Sequence, residues 1–551
     1  MRNWIIGIAA LSGSLNALGQ SSLGSITGNM EATFQYLNND SLIGATQPTE
    51  KGLLNSYMNV FYTNGNFKAG ARFESYLPRI QGYPNRFDGT GIGMRYVGYA
   101  NDYVDITLGN FYEQFGSGMI FRAYEDRNLG YDNTVDGARL ILRPYKGVQL
   151  KGIYGTQRYS FESGRVVGAA GITRGFDGEL HLNSLLPRLD STGLDITLGG
   201  SFVSKYQKDE LEELVLPENV GAYGGRLKVR YQKFELKGEY IYKENDPSED
   251  NGYIYNPGHA ALINFGYSRK GLGIALSAKS VDNMSFRADR TKGLQDAFIN
   301  YLPALNKTHA YNLVATLYPY ATRPVGEIAY QAEVLFMIPK EKTPGKKYGI
   351  PINLNFSTAY MPMQHTSGIN PADSSGITYV GRPFDMSDSL MWRDINANIS
   401  YKFNKSLSVT LSYFNITLNN DISKVTENAV GLINANIGVA EIGWKINKKH
   451  NLRTELQALF VEKDKGNWAT VVLEYTISPG WFFGLIDQYN YGNDDPDLRL
   501  HHVYGSVGWI KGATRLTVNY GRQRAGLFCV GGVCRVVPAS NGLTLSFTQS
   551  F

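Results

Sequence analysis

The chain has 551 residues, of which 43% are hydrophobic, 19% charged and 13% aromatic, and its formal net charge is +5. Soluble globular proteins carry about 25% charged residues, and a chain with 37 Tyr, 26 Phe and 6 Trp is too aromatic for a disordered protein. The 54 Lys and Arg nearly balance the 49 Asp and Glu, so nucleic acid is not expected as a partner.

Residues 1–19 have the features of a secretory signal peptide. Arg2 supplies the positive charge, an apolar stretch follows, and Ala17-Leu18-Gly19 provides a small-residue cleavage site. The mature chain is therefore expected to begin at Gln20. No cysteine stands at the cleavage site, which argues against a lipid-anchored protein. Beyond this stretch, no window offers the roughly 18 consecutive apolar residues of a membrane-spanning helix.

Apolar and polar residues alternate with period two along the rest of the chain. The alternation is clearest in residues 26–36, 67–74, 234–240, 352–360, 394–403 and 452–460. A period of two is typical of a β-strand, because successive side chains point to opposite faces of the sheet. Each of these strands is therefore predicted to have one apolar face and one polar face.

The connections between the predicted strands are of two kinds. One set is short and rich in turn residues, as in Asn64-Gly65, Lys270-Gly271, Pro479-Gly480 and Lys511-Gly512. The other set is long and polar and comprises 37–51, 77–90, 157–173, 205–220, 243–258, 281–308, 417–435 and 491–499. Short turns at one end and long loops at the other are typical of bacterial outer-membrane barrels.

Residues 20–551 are therefore predicted to form one all-β domain. The predicted fold is a transmembrane antiparallel up-and-down β-barrel with short periplasmic turns and long extracellular loops. A soluble β-sandwich would alternate in the same way, but its two-sheet core serves about seven to nine strands. A β-propeller would show blade repeats of about 40 residues, and the sequence has no such repeat.

The strand number follows from parity. About 25 strands are clear, but both ends of such a barrel lie on the periplasmic side, so the number should be even. The missing strand is expected within 361–391, where Ile377-Thr378-Tyr379-Val380 is the best candidate. The sequence thus predicts about 26 strands, with 24 as the fallback. A ring of this size is on the order of 50 Å across, so something must narrow or occupy the lumen.

Residues 110–136 are the candidate for that role. The segment is both aromatic and charged, whereas a free surface loop has little reason to carry so many aromatic side chains. It is long enough to reach on the order of 40 Å into a barrel when doubled back. Two interpretations remain open: a constriction folded into the lumen, or a lid or strand extension above the membrane. The candidate constriction residues are Glu113, Arg122, Glu125, Asp126 and Arg127.

The same part of the chain carries a family resemblance. Its most specific residues run from Gly109 to Gly118 and continue through Arg122, Leu129-Gly130, Asp132-Asn133 and Asp136-Gly137. With these residues, and over essentially the whole mature chain, the sequence resembles the large outer-membrane β-barrel proteins of Bacteroidota-type bacteria that are catalogued as a domain of unknown function. The resemblance implies an integral outer-membrane location and a barrel fold, and it implies no particular substrate.

The C-terminal strand has a pattern of its own. Leu543, Leu545 and Phe547 alternate with polar residues, and the chain finishes on the aromatic Phe551. This resembles the last-strand signal that outer-membrane barrels present to the barrel assembly machinery. The assembly machinery and the lipids of the outer membrane are therefore expected partners.

Cys529 and Cys534 are the only cysteines and lie in one predicted loop. An exported chain reaches a compartment where a disulfide can persist, so a small staple of that loop is expected. A metal site would need further ligands, and the neighbouring sequence offers no other Cys or His. The sequence predicts no metal site and no cofactor.

An enzyme is not expected. His501 and His502 are adjacent on a predicted strand, so they point to opposite faces and cannot form one site. His450 lies in a tight turn. The sequence contains no Gly-x-Ser-x-Gly, His-Glu-x-x-His or phosphate-binding loop.

Two functions remain compatible with these observations. The preferred one is a channel or transporter for hydrophilic solutes or peptides across the outer membrane, because the inward faces of the strands are polar. The alternative is a non-enzymatic structural or assembly subunit of an outer-membrane complex, whose wide lumen or outer wall accommodates outer-membrane or periplasmic protein partners. No N-terminal plug domain is expected, because the first strand begins only a few residues after the cleavage site.

Overall fold

A computed structural model describes residues 24–210, 214–293, 296–366, 379–423, 430–530 and 533–551. The signal peptide predicted for residues 1–19 lies outside the described residues and stays a prediction. Within these ranges, no helix has the length and apolar character needed to cross a membrane.

In the described residues, 24 strands form one closed antiparallel sheet, numbered β1 to β24 in chain order. Their bounds are β1 Ser25–Asn38, β2 Gly52–Asn64, β3 Phe67–Tyr76, β4 Gly89–Ala100, β5 Val104–Phe111, β6 Val135–Tyr145, β7 Val148–Glu162, β8 Arg165–His181, β9 Leu194–Tyr206, β10 Asn219–Tyr231, β11 Phe234–Lys243, β12 Gly258–Arg269, β13 Leu272–Asp282, β14 Gly326–Ile338, β15 Ile350–Thr366, β16 Tyr379–Lys402, β17 Leu407–Asn419, β18 Leu432–Lys445, β19 His450–Val461, β20 Trp468–Ile477, β21 Trp481–Tyr489, β22 His501–Lys511, β23 Thr514–Gln523 and β24 Ser540–Ser550. The sheet closes where β1 pairs with β24, with Asn29 opposite Ser550. The predicted all-β barrel is confirmed.

The preferred strand number of 26 is wrong, and the fallback of 24 is correct. Of the predicted strand Ile377-Thr378-Tyr379-Val380, the first two residues lie outside the described residues, and Tyr379 begins β16, which runs unbroken to Lys402. The pairing of β15 with β16 shifts its register several times between Ala359 and Gln364. Such irregularities interrupt the period of two and make one long strand look like two.

The remaining elements are short. The part of the chain that the structure describes has three α-helices, Leu182–Leu185, Asn312–Leu317 and Asn420–Ser423. Three two-stranded hairpins pair Glu113–Phe115 with Phe121–Ala123, Glu125–Asp126 with Tyr131–Asp132, and Gly526–Val530 with Val533–Val537. Single 3-10 turns lie at Ser41–Ile43, Pro187–Thr192, Glu249–Asn251, Lys340–Lys342, Pro344–Lys346 and Pro496–Leu498.

The two ends of the barrel differ in their connections. The end at which β1 begins and β24 ends, here the turn end, has mostly short turns, whereas the opposite loop end has most of the long connections. One predicted loop is wrong: most of 157–173 belongs to β7 and β8, which meet in a tight turn at Ser163-Gly164. The connection 182–193 at the turn end is longer than most of the turns there and includes a helix.

The barrel wall is apolar outside and polar inside. Large apolar side chains such as Leu411 and Phe460 point outward and are more than half exposed. Inward-facing polar side chains such as Glu327 and Asp394 are fully buried. This arrangement inverts that of a soluble protein, in which large contiguous apolar surfaces are rarely exposed. It is what a lipid environment requires.

At the loop end the two faces exchange character. Above Tyr413 on β17, the inward residues Phe414 and Ile416 are apolar and buried. The outward residues there include Asn415, whose amide donates to the side chain of Asn434 on β18 at 2.9 Å. The outer apolar surface therefore ends near Tyr413, and β17 and β18 continue beyond it with a polar outer face.

A charge placed within the outer apolar surface tests this boundary. Leu411→Arg is expected to lower the free energy of unfolding by about 2–4 kcal/mol, because the lipid face does not tolerate arginine near its centre. Asn434→Arg, on the polar outer face near the loop end, should change it by less than about 1 kcal/mol. Urea unfolding in lipid vesicles, followed by the heat-dependent gel mobility of the barrel, measures both. Equal effects of the two substitutions would contradict the proposed boundary.

The two cysteines lie in the hairpin Gly526–Val530 and Val533–Val537. The backbone register sets Cys529 directly opposite Cys534, while their side chains lie outside the described residues, so the disulfide stays a prediction. We expect alkylation of the unreduced, unfolded protein to leave both thiols unmodified, and prior reduction to add two labels by mass spectrometry. Two labels without reduction would contradict the predicted staple.

Candidate functional site

Two connections at the loop end fold back into the lumen. The first inner segment is 112–134, between β5 and β6, and the second inner segment is 283–325, between β13 and β14. Both contact side chains that point inward from the wall. Together they occupy the part of the lumen nearer the loop end.

The first inner segment crosses toward β11. The backbone NH of Ser117 donates to Oε2 of Glu239 at 2.9 Å. Gly116 has a φ of +54°, and a Cβ on this residue would lie 2.4 Å from the carboxylate of Glu239. Only glycine fits this left-handed, closely packed position without strain.

The second inner segment continues across the lumen toward strands β16 to β21. Nε2 of His309 lies 2.7 Å from Oδ2 of Asp394 on β16. The backbone NH of Leu313 donates to Oε1 of Gln457 on β19 at 3.0 Å. The side chains of Asn312 and Gln488, on β21, are also hydrogen-bonded. The short helix Asn312–Leu317 is thereby fixed to the far wall.

The two inner segments also bind each other. The backbone NH of Arg122 donates to the carbonyl of Ile299 at 2.9 Å, and that of Tyr301 donates to the carbonyl of Gly118 at 2.9 Å. The guanidinium of Arg122 lies between the rings of Tyr124 and Tyr301, 4.3 and 4.2 Å from their centroids. These cation–π contacts add to the backbone bonds. The two segments therefore form one internal body.

An apolar core fills the space between this body and the wall. It joins Phe115, Ile120 and Phe121 of the first segment to residues of the second segment and to inward residues of the wall. The second segment contributes Met284, Phe286, Ile299, Leu313, Val314 and Leu317, and the wall contributes Val203, Val220, Ile241, Phe414, Ile416, Ile433 and Ile437, among others. Removing this surface from water is the main force that holds the segments inside.

A buried charge network fixes the first inner segment to the wall. Arg158 on β7 donates to both carboxylate oxygens of Glu74 on β3, at 2.8 and 2.7 Å, and to Asp132 of the segment at 3.0 Å. Arg72 on β3 donates to Glu74 and Asp132 at 2.7 Å and to Glu125 at 2.9 Å. The side chains of Arg72, Glu74 and Arg158 are at most 3% exposed. Each charge is therefore compensated by direct partners.

The candidate constriction residues take different positions in this arrangement. Glu125 and Arg127 are paired at 3.0 Å, and Arg127 also binds Glu31 on β1 at 2.7 Å. Burial alone would lower the pKa of Arg127. The neighbouring carboxylates of Glu125 and Glu31 have the larger effect, so the pKa of Arg127 is raised. Glu113 lies apart from this pair.

The other three candidates do not join that pair. Glu113 binds Lys151 on β7 at 2.8 Å and Arg139 on β6 at 3.4 Å. Arg122 packs between tyrosines, as described above. Asp126 accepts hydrogen bonds from the backbone of Asn128 and Leu129 and so shapes a local turn. The five residues are not gathered around one opening, and their role as a constriction stays a prediction.

Two features of the lumen were missed from the sequence. Arg158 falls within the region predicted as the loop 157–173, so its inward direction was not recognised. The second inner segment overlaps the predicted polar loop 281–308. Met284, Phe286 and Ile299 give this segment an apolar content that a free loop does not need. That apolar content is the signal that could have identified it.

The turn end of the lumen is open to water. Inward lysines near the loop end, Lys205 and Lys243, have fully buried side chains. Inward lysines near the turn end, Lys228 and Lys237, are 42% and 49% exposed. A vestibule with charges of both signs thus leads from the turn end to the inner segments. In the described parts of the chain, no group of three or more His, Cys, Asp or Glu side chains is placed to hold a metal ion.

No curated protein matches the chain. Among solved structures, the P pilus usher PapC translocation pore is similar with a TM-score of 0.39 and 10% identity, over 95% of this chain and 99% of that chain. The siderophore receptor PirA from Pseudomonas aeruginosa gives 0.40 and 10%, over 97% and 81%. A BenF-like porin from Pseudomonas fluorescens Pf-5 gives 0.30 and 8%, over 96% and 98%.

A family model covers the whole sequence. It is described as a family of unknown function, DUF6029, and it matches residues 1–551. The match confirms the resemblance to a family without an assigned activity, while the bacterial group stays a prediction. The chain belongs to the DUF6029 family of unknown function.

Proposed function

We propose that the protein is an integral outer-membrane β-barrel that provides a gated passage for a hydrophilic solute or peptide. The observation that carries this proposal is that the lumen has two parts, one open to water and one filled by the chain itself. A charged, water-accessible vestibule at the turn end leads directly to two inner segments of the same chain that close the loop end. In this arrangement, passage requires movement of the inner segments.

The membrane location rests on the outer surface of the barrel. Outward side chains such as Val97, Leu411 and Phe460 are large, apolar and exposed. A surface of this kind is stable only when lipid covers it. The closed sheet leaves no unpaired strand edge, which is the second requirement for a β-structure in a membrane. The sequence pattern of residues 1–19 further supports export.

The first inner segment is the element we expect to move. Its polar contacts with the wall include Arg127 with Glu31 and Glu125 with Arg72, and these lie around its second hairpin. The side chain of Glu31 is 40% exposed, so water already reaches this contact. Partly exposed ion pairs contribute little to stability. Opening is therefore expected to begin at Arg127 and Glu31, before the buried network around Arg158 separates.

A structural or assembly subunit is the second candidate function. The observation that favours it is the continuous apolar core that joins both inner segments to the wall. Such a core resists movement, because displacing either segment would expose buried side chains such as Phe115 and Ile299. In that case the outer wall or the loop end would bind partner proteins, and the lumen would serve only as a filled support.

Single-channel conductance in planar bilayers distinguishes the two functions. The samples are the full chain, a variant in which a short Gly-Ser linker replaces residues 113–129, and a control in which such a linker replaces the exposed loop 493–499. All three must show heat-dependent gel mobility, which reports a folded barrel. We expect a mostly closed wild type and control, and a conductance increase of at least about tenfold in the first variant, because removing the first inner segment leaves part of a wide ring unfilled.

Either outcome is informative about the function. A conductance increase in the 113–129 variant together with brief openings of the wild type supports a gated passage. A variant that stays as closed as the wild type contradicts it, because the second inner segment would then close the lumen alone. Copurification of a stoichiometric partner with a permanently closed barrel would favour the structural function.

A further inference from the structure

A cavity of about 1080 Å³ lies at the loop end and is called the outer cavity here. Its walls come from both inner segments and from the connections after β1 and β3. Its volume is at the upper limit of small-ligand pockets, which are roughly 300–1,000 Å³. A ligand larger than a single metabolite would fill it.

The lining is mainly apolar and aromatic. Tyr124 of the first inner segment and Phe298 and Tyr301 of the second contribute partly exposed rings. Pro48 and Pro84 extend the apolar surface on the side of the wall loops. Grooves lined by aromatic side chains are suited to short extended peptides, in particular to segments that contain proline.

Asn300 adds a hydrogen-bonding group to the lining. Asn300 is 4% exposed, and its Nδ2 donates to the carbonyl of Met284 at 2.9 Å. This bond fixes the orientation of the amide. The Oδ1 atom of Asn300 accepts no hydrogen bond from any described residue. A buried polar atom normally has a partner, so a peptide NH at this wall of the cavity would satisfy Oδ1 of Asn300.

Two charged side chains at the cavity have no ion pair in the described part of the chain. These are Glu50, which is exposed, and Arg79, whose guanidinium binds the side chain of Asn85. Arg86 and Asp296 also line the cavity, but they form an ion pair with each other at 2.7 Å. One uncompensated negative charge and one uncompensated positive charge match a peptide with a free amino terminus and a free carboxyl terminus.

We propose that the outer cavity binds a short peptide with an apolar side chain and free termini. The apolar side chain packs on Tyr124 and Tyr301, while Glu50 and Arg79 attract the two termini. Such a ligand contacts both inner segments and the wall loops at once. The proposal deepens the proposed passage function by naming the ligand class, but peptide binding itself can be measured without any opening of the barrel.

The test uses the full chain purified in detergent and isothermal titration calorimetry. The probes are tetrapeptides of sequence Ala-Xaa-Pro-Ala in which Xaa is Leu, Phe, Val or Ser, the same peptides with acetylated and amidated ends, and maltotetraose. Ala321→Trp fills the cavity, since Ala321 lines it. Ala513→Trp is the matched control, because Ala513 is exposed in a tight connection at the turn end.

We expect saturable binding of the Leu, Phe and Val peptides, at least about tenfold weaker binding of the Ser peptide, and a similar loss in Ala321→Trp. Ala513→Trp should bind as the wild type does. Blocking the ends, or Arg79→Gln, should weaken binding severalfold. No peptide binding, equal binding by Ala321→Trp, or binding of maltotetraose in place of peptides would each overturn the proposal. Peptide binding by a protein whose 113–129 variant stays as closed as the wild type would leave this proposal intact and contradict only the passage function.

Discussion

Replacement of Arg158 with methionine is expected to lower the free energy of unfolding by about 3–5 kcal/mol. Arg158 is buried and binds both oxygens of Glu74 and one oxygen of Asp132. Methionine preserves much of the side-chain volume but removes the charge. Among the residues that the structure describes, Arg72 is then the only cation bound to the two carboxylates, which leaves negative charge in the interior without full compensation. Urea unfolding in detergent micelles measures the change.

Two further variants show whether the lost charge is the cause. The double variant Glu74→Gln and Arg158→Met removes one charge of each sign and should recover about half of the loss or more, because a buried pair can often be replaced at little cost. Arg230→Met removes an ion pair with Asp195 in which the arginine side chain is 56% exposed, and should cost less than about 1 kcal/mol. A loss below about 1 kcal/mol in Arg158→Met itself would contradict the buried network.

A steep loss of stability is expected above pH 10. Burial raises the pKa of six tyrosines on the inner segments, and the five largest increases are those of Tyr112, Tyr124, Tyr131, Tyr318 and Tyr320. In the unfolded chain these side chains ionise near pH 10. The folded protein then holds more protons than the unfolded one, so stability is retained below pH 10 and falls as the pH rises through the folded-state values.

The size of this effect follows from the number of tyrosines. Each one lowers stability by about 1.4 kcal/mol per pH unit above pH 10, so five together give about 7 kcal/mol per unit. Urea unfolding between pH 9 and 11.5, with tyrosinate absorbance measured in parallel, reports the slope. The double variant Tyr124→Phe and Tyr131→Phe should reduce the slope by about 2.8 kcal/mol per pH unit. An unchanged slope would show that these tyrosines are accessible to solvent in the folded protein.

The sequence predicted the barrel because its wall follows a simple rule. Alternation in runs such as 26–36 and 394–403 decides which face meets lipid, and tight turns such as Lys270-Gly271 set one end of each hairpin. Both signals are local, so they can be read without knowing which strands are neighbours. The 110–136 segment stood out for a similar reason, because its aromatic content is unusual for a free loop.

The interior could not be predicted in the same way, because it depends on contacts between distant parts of the chain. Ser117 meets Glu239, and Asp132 meets Glu74 through Arg158. Neither neighbour is indicated by residue spacing. A loop is predicted from a polar composition. The second inner segment escapes this prediction, because its apolar residues Met284 and Phe286 pack against residues that lie far away in the sequence. The strand number also depended on bulges in β15 and β16 that local periodicity does not reveal.

The position of Ser117 tests the filled lumen most directly. Ser117→Cys and Glu239→Cys are introduced together, with Cys529 and Cys534 replaced by serine, and the folded barrel is treated with a short bismaleimide crosslinker. The control pairs Ser117→Cys with Arg515→Cys, which is an exposed position on β23. We predict an intramolecular crosslink between 117 and 239, identified by mass spectrometry, and none between 117 and 515. Failure of the first pair to crosslink, with both thiols accessible, would contradict an inner segment that crosses the lumen to β11.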